Sequence, residues 1–473
     1  MGTDLTQLTA HELLDLYRRR KASPVEAVDA VLERVAKHNG LINAFAHLDP
    51  DSARAAARKS EKRWKKGKPR GALEGVPVTI KELLQTKGWP TVMASKLIDA
   101  NQKWEIDAPA VARLREAGAV LLGKVTSSEF GYKGVTDSPV HGITRNPWHP
   151  DRTPGGSSGG GGAAVAAGFG PVSIGTDGGG SVRIPASFCG LIGLKATLGR
   201  VPAFPPSMHG DMANTGPLTR DVEDCALLLN VISQPDVRDW YSLPPDDTNY
   251  VKALKGGVKK LKIAFSPNLG YAKVDGEVAK AVAKAAKIFA DLGAKVEQVD
   301  PPIGALEPGQ IFLAHWLTSA ARLLKQFPES KHNQFDPGLL QACRAGQAYT
   351  TEQLVQAQYE RRLLGHAYNM FFGKYDLLLT PTVAVPAFGV GLNAPVGAKG
   401  ETNPNWTPFT FVFNLTRHPA ITVPCGVTKD GLPIGLQIVA GHYRDALLLR
   451  AAQAYTKAAP IRLPKLPVSG KSK

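Results

Sequence analysis

The chain has 473 residues, of which 43% are hydrophobic and 21% are charged, a balance typical of folded globular proteins and not of disordered ones. Its formal net charge is +16 at pH 7, so a polyanionic partner has to be considered. The two densest basic runs, at 61–70 and 252–265, lack the interleaved aromatic residues of an RNA-binding motif, so we predict solvated surface and no nucleic-acid partner.

The N-terminal region is predicted to be helical. Two capping boxes, "TAHE" at 9–12 and "SPVE" at 23–26, each precede apolar residues at helical spacing, and the second has proline at the first helical position. We therefore predict an N-terminal helical segment at 1–65 that packs on a main domain at 66–473. No Gly/Ser-rich or Pro-rich linker separates the two, so one globular unit is expected.

From Val76 onward, short apolar strand-like segments alternate with helix-like stretches. The predicted strands, in chain order, are "VPVTIK", "AVLLGK", "PVSIGT", "KLKIAF", "AKVEQV", "DLLLTP", "AITVP" and "IGLQIV". The predicted helices between them include "APAVARLREAG", "RDVEDCALLLNVI" and "EVAKAVAKAAKIFADLG". This alternation predicts an α/β fold, with a central sheet and helices on its faces.

The apolar runs and the cysteines argue against a membrane protein and against a disulfide-bonded secreted protein. The N-terminus has no apolar signal core, and no apolar run reaches the roughly 18 residues of a membrane span, so no membrane partner is predicted. The cysteines lie far apart without metal-ligand or C-x-x-C spacing, which indicates neither a zinc site nor a disulfide framework and fits a cytoplasmic location. They are Cys189, Cys225, Cys343 and Cys425.

The stretch at 154–186, "PGGSSGGGGAAVAAGFGPVSIGTDGGGSVRIPA", is the most unusual part of the sequence. It has neither a G-K-[ST] ending nor a G-x-G-x-x-G after a strand, so both nucleotide-binding fingerprints fail. A flexible surface linker is the ordinary explanation of such composition. The close spacing of Asp177, Arg183 and Pro185, together with the apolar "AAVAAG", favours an ordered segment instead.

A nucleophile site is the third interpretation of this stretch. Ser181 follows Gly178, Gly179 and Gly180, and successive backbone N–H groups without side chains can surround a developing oxyanion. The surroundings of Ser181 do not form a G-x-S-x-G elbow, and no histidine lies in a lipase-like or protease-like motif. The histidines considered are interpreted as loop or surface residues: His141, His149, His209, His315, His418 and His442. Lys81, at the end of "GVPVTIK", is the remaining base, since an apolar setting can keep a lysine neutral.

At these residues the chain resembles the amidase signature family of serine hydrolases. Its glycine/serine-rich signature is matched without a gap from Gly155 through Ala186. Further segments carry the resemblance, including "LEGVPVTIKE", "LREAGAVLLGKVTSSEFGY", "TGPLTRDVEDCALLL" and "YDLLLTPT". It extends over most of the chain and is weakest at about 235–350. The resemblance implies a central mixed, twisted β-sheet covered by helices on both faces.

The family uses a Ser–cis-Ser–Lys triad, and the resemblance implies Ser181 as nucleophile, Ser157 as cis-serine and Lys81 as base. A cis peptide is implied at Gly156–Ser157. In this mechanism neutral Lys81 takes a proton from Ser157 while Ser157 takes one from Ser181, which attacks the amide carbonyl and forms an acyl-enzyme. The relay is complete with side chains and backbone donors, so no metal and no cofactor is predicted.

The resemblance also assigns supporting roles. The backbone N–H groups of Gly178, Gly179, Gly180 and Ser181 are expected to form the oxyanion hole. Ser158 is expected to support Lys81 or Ser157 by a hydrogen bond. Two further residues, Asp177 and Arg183, are expected to hold the loop, and Thr176 to be a packed strand residue that could touch substrate. Cys189 is expected in the core.

Two branches of the family are distinguished by the segment at 403–420, "NPNWTPFTFVFNLTRHPA". The glutaminase-like subunit of glutamyl-tRNA(Gln) amidotransferase carries an acidic residue here to hold the amino group of glutamine, whereas this chain has Thr407. It also has Arg417 and His418 where that subunit has a small Ala-Gly pair. We therefore predict a stand-alone amidase. Two alternatives remain, which are the glutaminase-like subunit of the amidotransferase complex and an inactive binding scaffold.

The predicted partner is a small-molecule amide, and a homodimer remains open. Apolar and aromatic residues expected near the cleft hint at an aryl or apolar acyl group, although each is also an ordinary core residue. These residues are Phe130, Tyr132, Met208, Trp316, Trp406 and Phe409.

Overall fold

The computed structural model describes residues 4–397 and 400–460. The strands are β1 (Phe45–Leu48), β2 (Pro77–Lys81), β3 (Val120–Val125), β4 (Asp137–Ser138), β5 (Gly142–Ile143), β6 (Val172–Asp177), β7 (Ile192–Lys195), β8 (Asn214–Thr219), β9 (Lys262–Phe265), β10 (Lys295–Gln298), β11 (Leu377–Pro381), β12 (Ala420–Val427) and β13 (Pro433–Ala440). The helices are α1 (Ala10–Arg18), α2 (Pro24–Ile42), α3 (Pro50–Lys65), α4 (Pro109–Glu116), α5 (Gly159–Ala166), α6 (Arg183–Cys189), α7 (Val222–Ile232), α8 (Tyr250–Ala253), α9 (Gly276–Asp291), α10 (Pro308–Ala321), α11 (Pro337–Gln347), α12 (Thr351–Phe372), α13 (Phe411–Leu415) and α14 (Asp445–Ala458).

Eleven strands form one mixed sheet in the order β1-β3-β2-β6-β8-β7-β12-β13-β11-β9-β10, and β4 and β5 form a separate two-stranded ribbon. Two parallel groups, β3-β2-β6 and β11-β9-β10, are joined through antiparallel pairs that run from β8 to β13. All eight strands predicted from the sequence are present.

Helices cover both faces of the sheet, which confirms the predicted α/β fold. In β11, Leu377 and Leu379 belong to the buried cluster that contains side chains of α7, α9 and α14. The intervening Leu378 belongs to the cluster that contains α10, α12 and α13. Because successive side chains of a strand point to opposite faces, this alternation shows a sheet buried on both sides.

The N-terminal helices begin where the capping boxes predict, with Thr9 and Ser23 as N-caps of α1 and α2. The segment also contributes β1, which was not predicted and pairs antiparallel with β3 at one edge of the sheet. The division at 1–65 and 66–473 stays a prediction, and the residues after 460 lie outside the described part of the second range.

Two neighbouring parallel strands position the candidate site. β2 pairs with β6 from Val78 to Ile80, so both strands end at the same edge of the sheet. Lys81 is the last residue of β2, and Asp177 is the last residue of β6. The glycine turn at 178–180 follows β6 and leads into α6. The predicted site residues at the two strand ends therefore lie beside this turn.

Close packing explains why α5 begins with four glycines. A Cβ atom on Gly160 would lie 2.4 Å from the backbone nitrogen of Thr126, and one on Gly161 would lie 2.6 Å from Ser173 Oγ. Both distances are far below a van der Waals contact, so a side chain would push the helix away from β6 and the loop after β3. The glycines here allow α5 to approach its neighbours and do not make a flexible linker.

Candidate active site

A buried lysine lies at the centre of the site. The Lys81 side chain is fully buried, and its Nζ is within hydrogen-bond distance of Ser157 Oγ, at 2.7 Å, and of Thr176 Oγ1, at 2.8 Å. Burial lowers the pKa of Lys81 to about 7, because Asp177 and Glu82 offset only part of the desolvation. A large fraction of this lysine is therefore neutral near pH 7 and can accept a proton.

The loop that carries Ser157 is joined to the loop that carries Ser181. The Gly156–Ser157 peptide bond is cis, the geometry that the resemblance implies. The backbone N–H of Ser158 donates to the carbonyl oxygen of Ser181 at 3.2 Å. Ser157 is 1% exposed and Ser181 is 6% exposed, so both hydroxyls lie in a nearly closed site.

The hydrogen bonds of Ser158 differ from the expectation that it supports Lys81 or Ser157. Its hydroxyl donates to the backbone oxygen of Thr176 at 3.1 Å and accepts from the backbone nitrogen of Thr176 at 3.2 Å. β2 pairs with β6 only as far as Ile174, so the polar backbone of Thr176 lacks a strand partner on this side and bonds to Ser158 instead. Ser158 thus holds the residue whose hydroxyl lies beside Lys81 Nζ.

A buried ion pair holds the glycine turn. The guanidinium of Arg183 donates to both carboxylate oxygens of Asp177, at 2.9 and 3.0 Å, and both side chains are fully buried. The remaining donors of Arg183 bond to Thr410 O, Gln437 Oε1 and Asn414 Oδ1. Burial would raise the pKa of Asp177, but the charge and hydrogen bonds of Arg183 keep that pKa below its usual range.

Three members of this network were not singled out from the sequence: Thr410, Asn414 and Gln437. Asn414 donates to both the backbone oxygen and the carboxylate of Asp177 at 2.9 Å. Gln437 interrupts the apolar run of β13 and is fully buried, and a polar residue in a fully buried strand is itself a sequence signal for a partner.

The same network occupies one of the four N–H groups expected in the oxyanion hole. The N–H of Gly180 donates to Asp177 Oδ1 at 2.8 Å, and the carbonyl oxygen of Gly179 accepts from Thr410 Oγ1 at 2.7 Å. The Gly179–Gly180 peptide is therefore held at both ends. The N–H of Gly180 is thus already bonded within the turn, whereas the N–H groups of Gly178, Gly179 and Ser181 stay the predicted donors to an oxyanion.

Residues 26–449 of the chain match the family model described as Amidase. The chain belongs to the amidase signature family. It is 37% identical over 464 residues to an acylamidase of Rhodococcus erythropolis, covering 97% of this chain and 96% of that one. It is 34% identical over 479 residues to a glutamyl-tRNA(Gln) amidotransferase subunit of Geobacter metallireducens, covering 96% of this chain and 98% of that one.

The fold agrees with that membership. The structure of a bacterial aryl acylamidase of the amidase signature family matches with a TM-score of 0.90 and 30% identity, over 97% of each chain. The resemblance and the fold predicted from the sequence are thus confirmed, and the chain is an amide-hydrolysing enzyme. None of the helices within residues 4–397 and 400–460 combines the length and the apolar character that crossing a membrane requires.

The aromatic residues predicted near the cleft of this amidase fall into three groups. Trp316, on α10, lies at the glycine turn, where a Cβ on Gly178 would be 3.3 Å from its ring. Phe130, Tyr132 and Met208 pack around a neighbouring apolar cluster that also contains residues of α11. The other two, Trp406 and Phe409, belong to core clusters. Trp406 stacks on Phe188, and Phe409 is fully buried beside α13.

Two residues near the glycine turn of the amidase were missed or misplaced by the sequence patterns. Phe312, on α10, lies so close that a Cβ on Gly179 would be 2.9 Å from its ring. His209 was interpreted as a loop or surface residue; it is in a loop, but it is buried and stacks on Trp316. His418, interpreted in the same way, is also buried. An isolated histidine gives no periodic signal, so its burial could not be inferred from the sequence.

Proposed function

We propose that the protein is a self-sufficient amidase that hydrolyses a carboxamide C–N bond, giving a carboxylate and ammonia or an amine through an acyl-enzyme on Ser181. The observation that carries the proposal is the buried Lys81, whose Nζ lies 2.7 Å from Ser157 Oγ and whose pKa is lowered to about 7. A lysine with this pKa and this neighbour is suited to be a general base.

In the first half of the reaction, the lone pair of neutral Lys81 accepts the proton of Ser157 as Ser157 accepts that of Ser181. Ser181 Oγ forms a bond to the carbonyl carbon, and the carbonyl oxygen takes up negative charge. The N–H groups of Gly178, Gly179 and Ser181 stabilise this charge. When the C–N bond breaks, the relay returns a proton to the leaving nitrogen, and the acyl group stays on Ser181.

In the second half, water takes the place of the amine. The relay removes a proton from the water as its oxygen attacks the acyl carbon, and Ser181 regains its proton when the acid leaves. Thr176 supports both halves, because its hydroxyl accepts an N–H of Lys81 at 2.8 Å and so directs the lone pair of the amine toward Ser157.

Two observations support a stand-alone enzyme. The chain is similar to an acylamidase and to the structure of an aryl acylamidase. Arg417, which replaces a small residue of the amidotransferase subunit, donates to the carboxylate of Asp211, as does Arg361. The similarity to the amidotransferase subunit keeps a complex-dependent glutaminase as the second candidate. The free cysteines support the cytoplasmic location that belongs to the proposal.

The proposed function predicts turnover by the purified chain alone. We expect release of ammonia or arylamine from a panel of aliphatic, aryl and indole acetamides and of anilides, with anilides and aryl amides turned over faster than glutamine. A serine-directed fluorophosphonate should add its mass to the peptide that contains Ser181. Activity on glutamine alone would favour the amidotransferase function, and a protein that is neither active nor labelled would be an inactive scaffold.

A second prediction concerns pH. Because the pKa of Lys81 is lowered to about 7, protonation should remove the base below that pH. We expect kcat/KM to rise about tenfold per pH unit below about pH 7 and to stay level into mild alkali. Initial rates between about pH 5 and pH 9 measure this, and a flat profile would contradict a lysine base.

A pair of threonine variants assigns the inflection to one lysine. The Lys124 pKa is also lowered to about 7 by burial, and its Nζ bonds to Thr91 as that of Lys81 bonds to Thr176. Thr176→Val removes an acceptor that favours charged Lys81, so it should move the inflection to lower pH. The matched variant Thr91→Val should leave it in place. The opposite pattern would assign the inflection to Lys124.

A further inference from the structure

His209 lies against the backbone that receives the substrate carbonyl in the proposed mechanism. Its ring stacks on the indole of Trp316, with 3.4 Å between ring centroids and 8° between ring planes. A Cβ on Gly178 would lie 3.6 Å from His209 Cδ2 and 3.3 Å from Trp316 Cζ3. The imidazole and the indole thus form one wall directly beside the first N–H group of the proposed oxyanion hole.

The imidazole of His209 lacks hydrogen-bond partners although it is buried. The residue is 6% exposed, and among the histidines of the described part of the chain it is the one whose two ring nitrogens are both buried without a partner. Buried His418 differs, because its nitrogens bond to Thr416 Oγ1 at 2.9 Å and to Asn369 Oδ1 at 3.1 Å. Buried polar groups of folded proteins are nearly always paired, so the exception at His209 points to a ligand.

We propose that His209 is a specificity-determining residue that bonds to a polar group on the acyl part of the substrate, close to the scissile carbonyl. The inference rests on the proposed function, since it places that carbonyl at the N–H groups of the glycine turn. Because His209 and Trp316 lie directly against Gly178, a group on the acyl carbon next to that carbonyl would be within reach of the imidazole. The preferred substrates are therefore amides of small acyl groups that carry a hydroxyl, an ether oxygen or another uncharged hydrogen-bonding group.

The protonation state of the His209 imidazole favours an uncharged polar group on the acyl part of the substrate. Burial and the nearby Lys81 lower the pKa of His209 to about 3, so the imidazole is neutral at physiological pH. A neutral imidazole offers one N–H donor and one nitrogen acceptor. The ring therefore suits a hydroxyl, which also donates and accepts a hydrogen bond. A neutral ring does not attract a carboxylate by charge. The rings of Trp316 and Phe312 beside it limit the polar group to a small one.

Two anilides of equal size test this inference. Glycoloyl 4-nitroanilide and propionyl 4-nitroanilide differ by a hydroxyl in place of a methyl group, and both release 4-nitroaniline. The measured quantity is the glycoloyl-to-propionyl ratio of kcat/KM, compared between variants so that intrinsic reactivity cancels. We expect the ratio to fall about tenfold in His209→Phe, which keeps an aromatic ring but loses the hydrogen bond. His209→Gln keeps a donor and an acceptor and should retain most of the ratio.

Controls separate a binding role from a structural one. His366→Phe changes an exposed histidine of α12 and should leave the ratio unaltered. Equal losses on both anilides in His209→Phe would overturn the inference, because a structural defect does not distinguish the two acyl groups. An unchanged ratio would overturn it as well. If the phenylalanine variant fails to fold, His209→Leu provides the same comparison.

The inference and the proposed function fail in different ways. If the proposed function is wrong, turnover will survive in Ser181→Ala. The glycoloyl-to-propionyl ratio of kcat/KM in His209→Phe still reports on acyl recognition in that case. If the wild-type protein hydrolyses neither anilide, calorimetric titration with glycolamide and propionamide gives the same comparison from affinities. Tighter binding of glycolamide that is lost in His209→Phe would support the inference, and equal affinities would overturn it.

Discussion

Replacement of Ser181 by alanine is expected to lower kcat/KM on every amide that the protein hydrolyses by about 10⁵-fold, with little effect on the fold. Alanine cannot form the acyl-enzyme, so only the oxyanion hole and substrate binding would accelerate attack by water. The structural role of this residue is carried by its backbone, since its carbonyl oxygen accepts from Ser158 N–H and alanine retains that bond.

Initial rates and thermal unfolding measure the two halves of this prediction. Ser233→Ala, at the C-cap of α7, is the matched control and should leave the rate unchanged. Ser157→Ala removes the hydroxyl that contacts Lys81 Nζ and that the proposed mechanism uses as the relay to Ser181. It should also abolish most turnover, and fluorophosphonate labelling can still be tested on its intact Ser181. Retention of more than about one per cent of activity in Ser181→Ala would mean that another group is the nucleophile.

The strands that the sequence patterns missed show why pattern alone was insufficient for the fold. β8 reads "NTGPLT", with glycine and proline in a strand that is buried along its whole length. Pro217 lies opposite Ile174 in the pairing of β8 with β6, although proline is rare in central strands. β7 is short and contains glycine. Both strands are held by neighbours distant in sequence, so their local composition resembles that of a turn.

Some residues of the candidate site could likewise be proposed from the sequence, and others could not. Lys81, Ser157 and Ser181 could be proposed from the sequence because the motif and the strand end are local, and the structure brings Lys81 Nζ to 2.7 Å from Ser157 Oγ. Three partners of Arg183 could not be predicted, because more than two hundred residues separate each of them from Arg183. They are Thr410, just before α13, Asn414 on α13 and Gln437 on β13. The contacts of Thr176 and His209 were not predicted either, since Thr176 meets Lys81 across two strand ends and His209 meets Trp316 of α10, and each pair is far apart in the sequence.

The network around Asp177 explains how a carboxylate can lie near a lysine that has to be neutral in the proposed mechanism. The negative charge of Asp177 acts to raise the pKa of Lys81, and desolvation outweighs it. Arg183 takes both carboxylate oxygens, and Lys81 bonds to the hydroxyls of Ser157 and Thr176. The ion pair thus fixes the glycine turn and leaves the amine with neutral partners. A protein that lost Arg183 would face an unpaired charge in its core.

Arg183→Met is accordingly expected to reduce the free energy of unfolding by about 3–5 kcal/mol, because Asp177 would be left buried without its counter-charge. Urea-induced unfolding monitored by circular dichroism measures this loss. Adding Asp177→Asn to Arg183→Met removes the unpaired charge and should recover part of the stability. The exposed pair Arg54–Asp29, at 2.7 Å, is the matched control, and Arg54→Met should cost less than about 1 kcal/mol.

Acid provides an independent check on the same ion pair. The pKa of Asp177 is below its usual range in the folded protein, so its ionised form contributes stability above the unfolded pKa of about 4. That contribution is lost as pH falls toward the folded pKa. The wild-type protein should therefore lose stability below about pH 4 more steeply than Asp177→Asn. Equal slopes, or an Arg183→Met protein as stable as the wild type, would show that the pair contributes little.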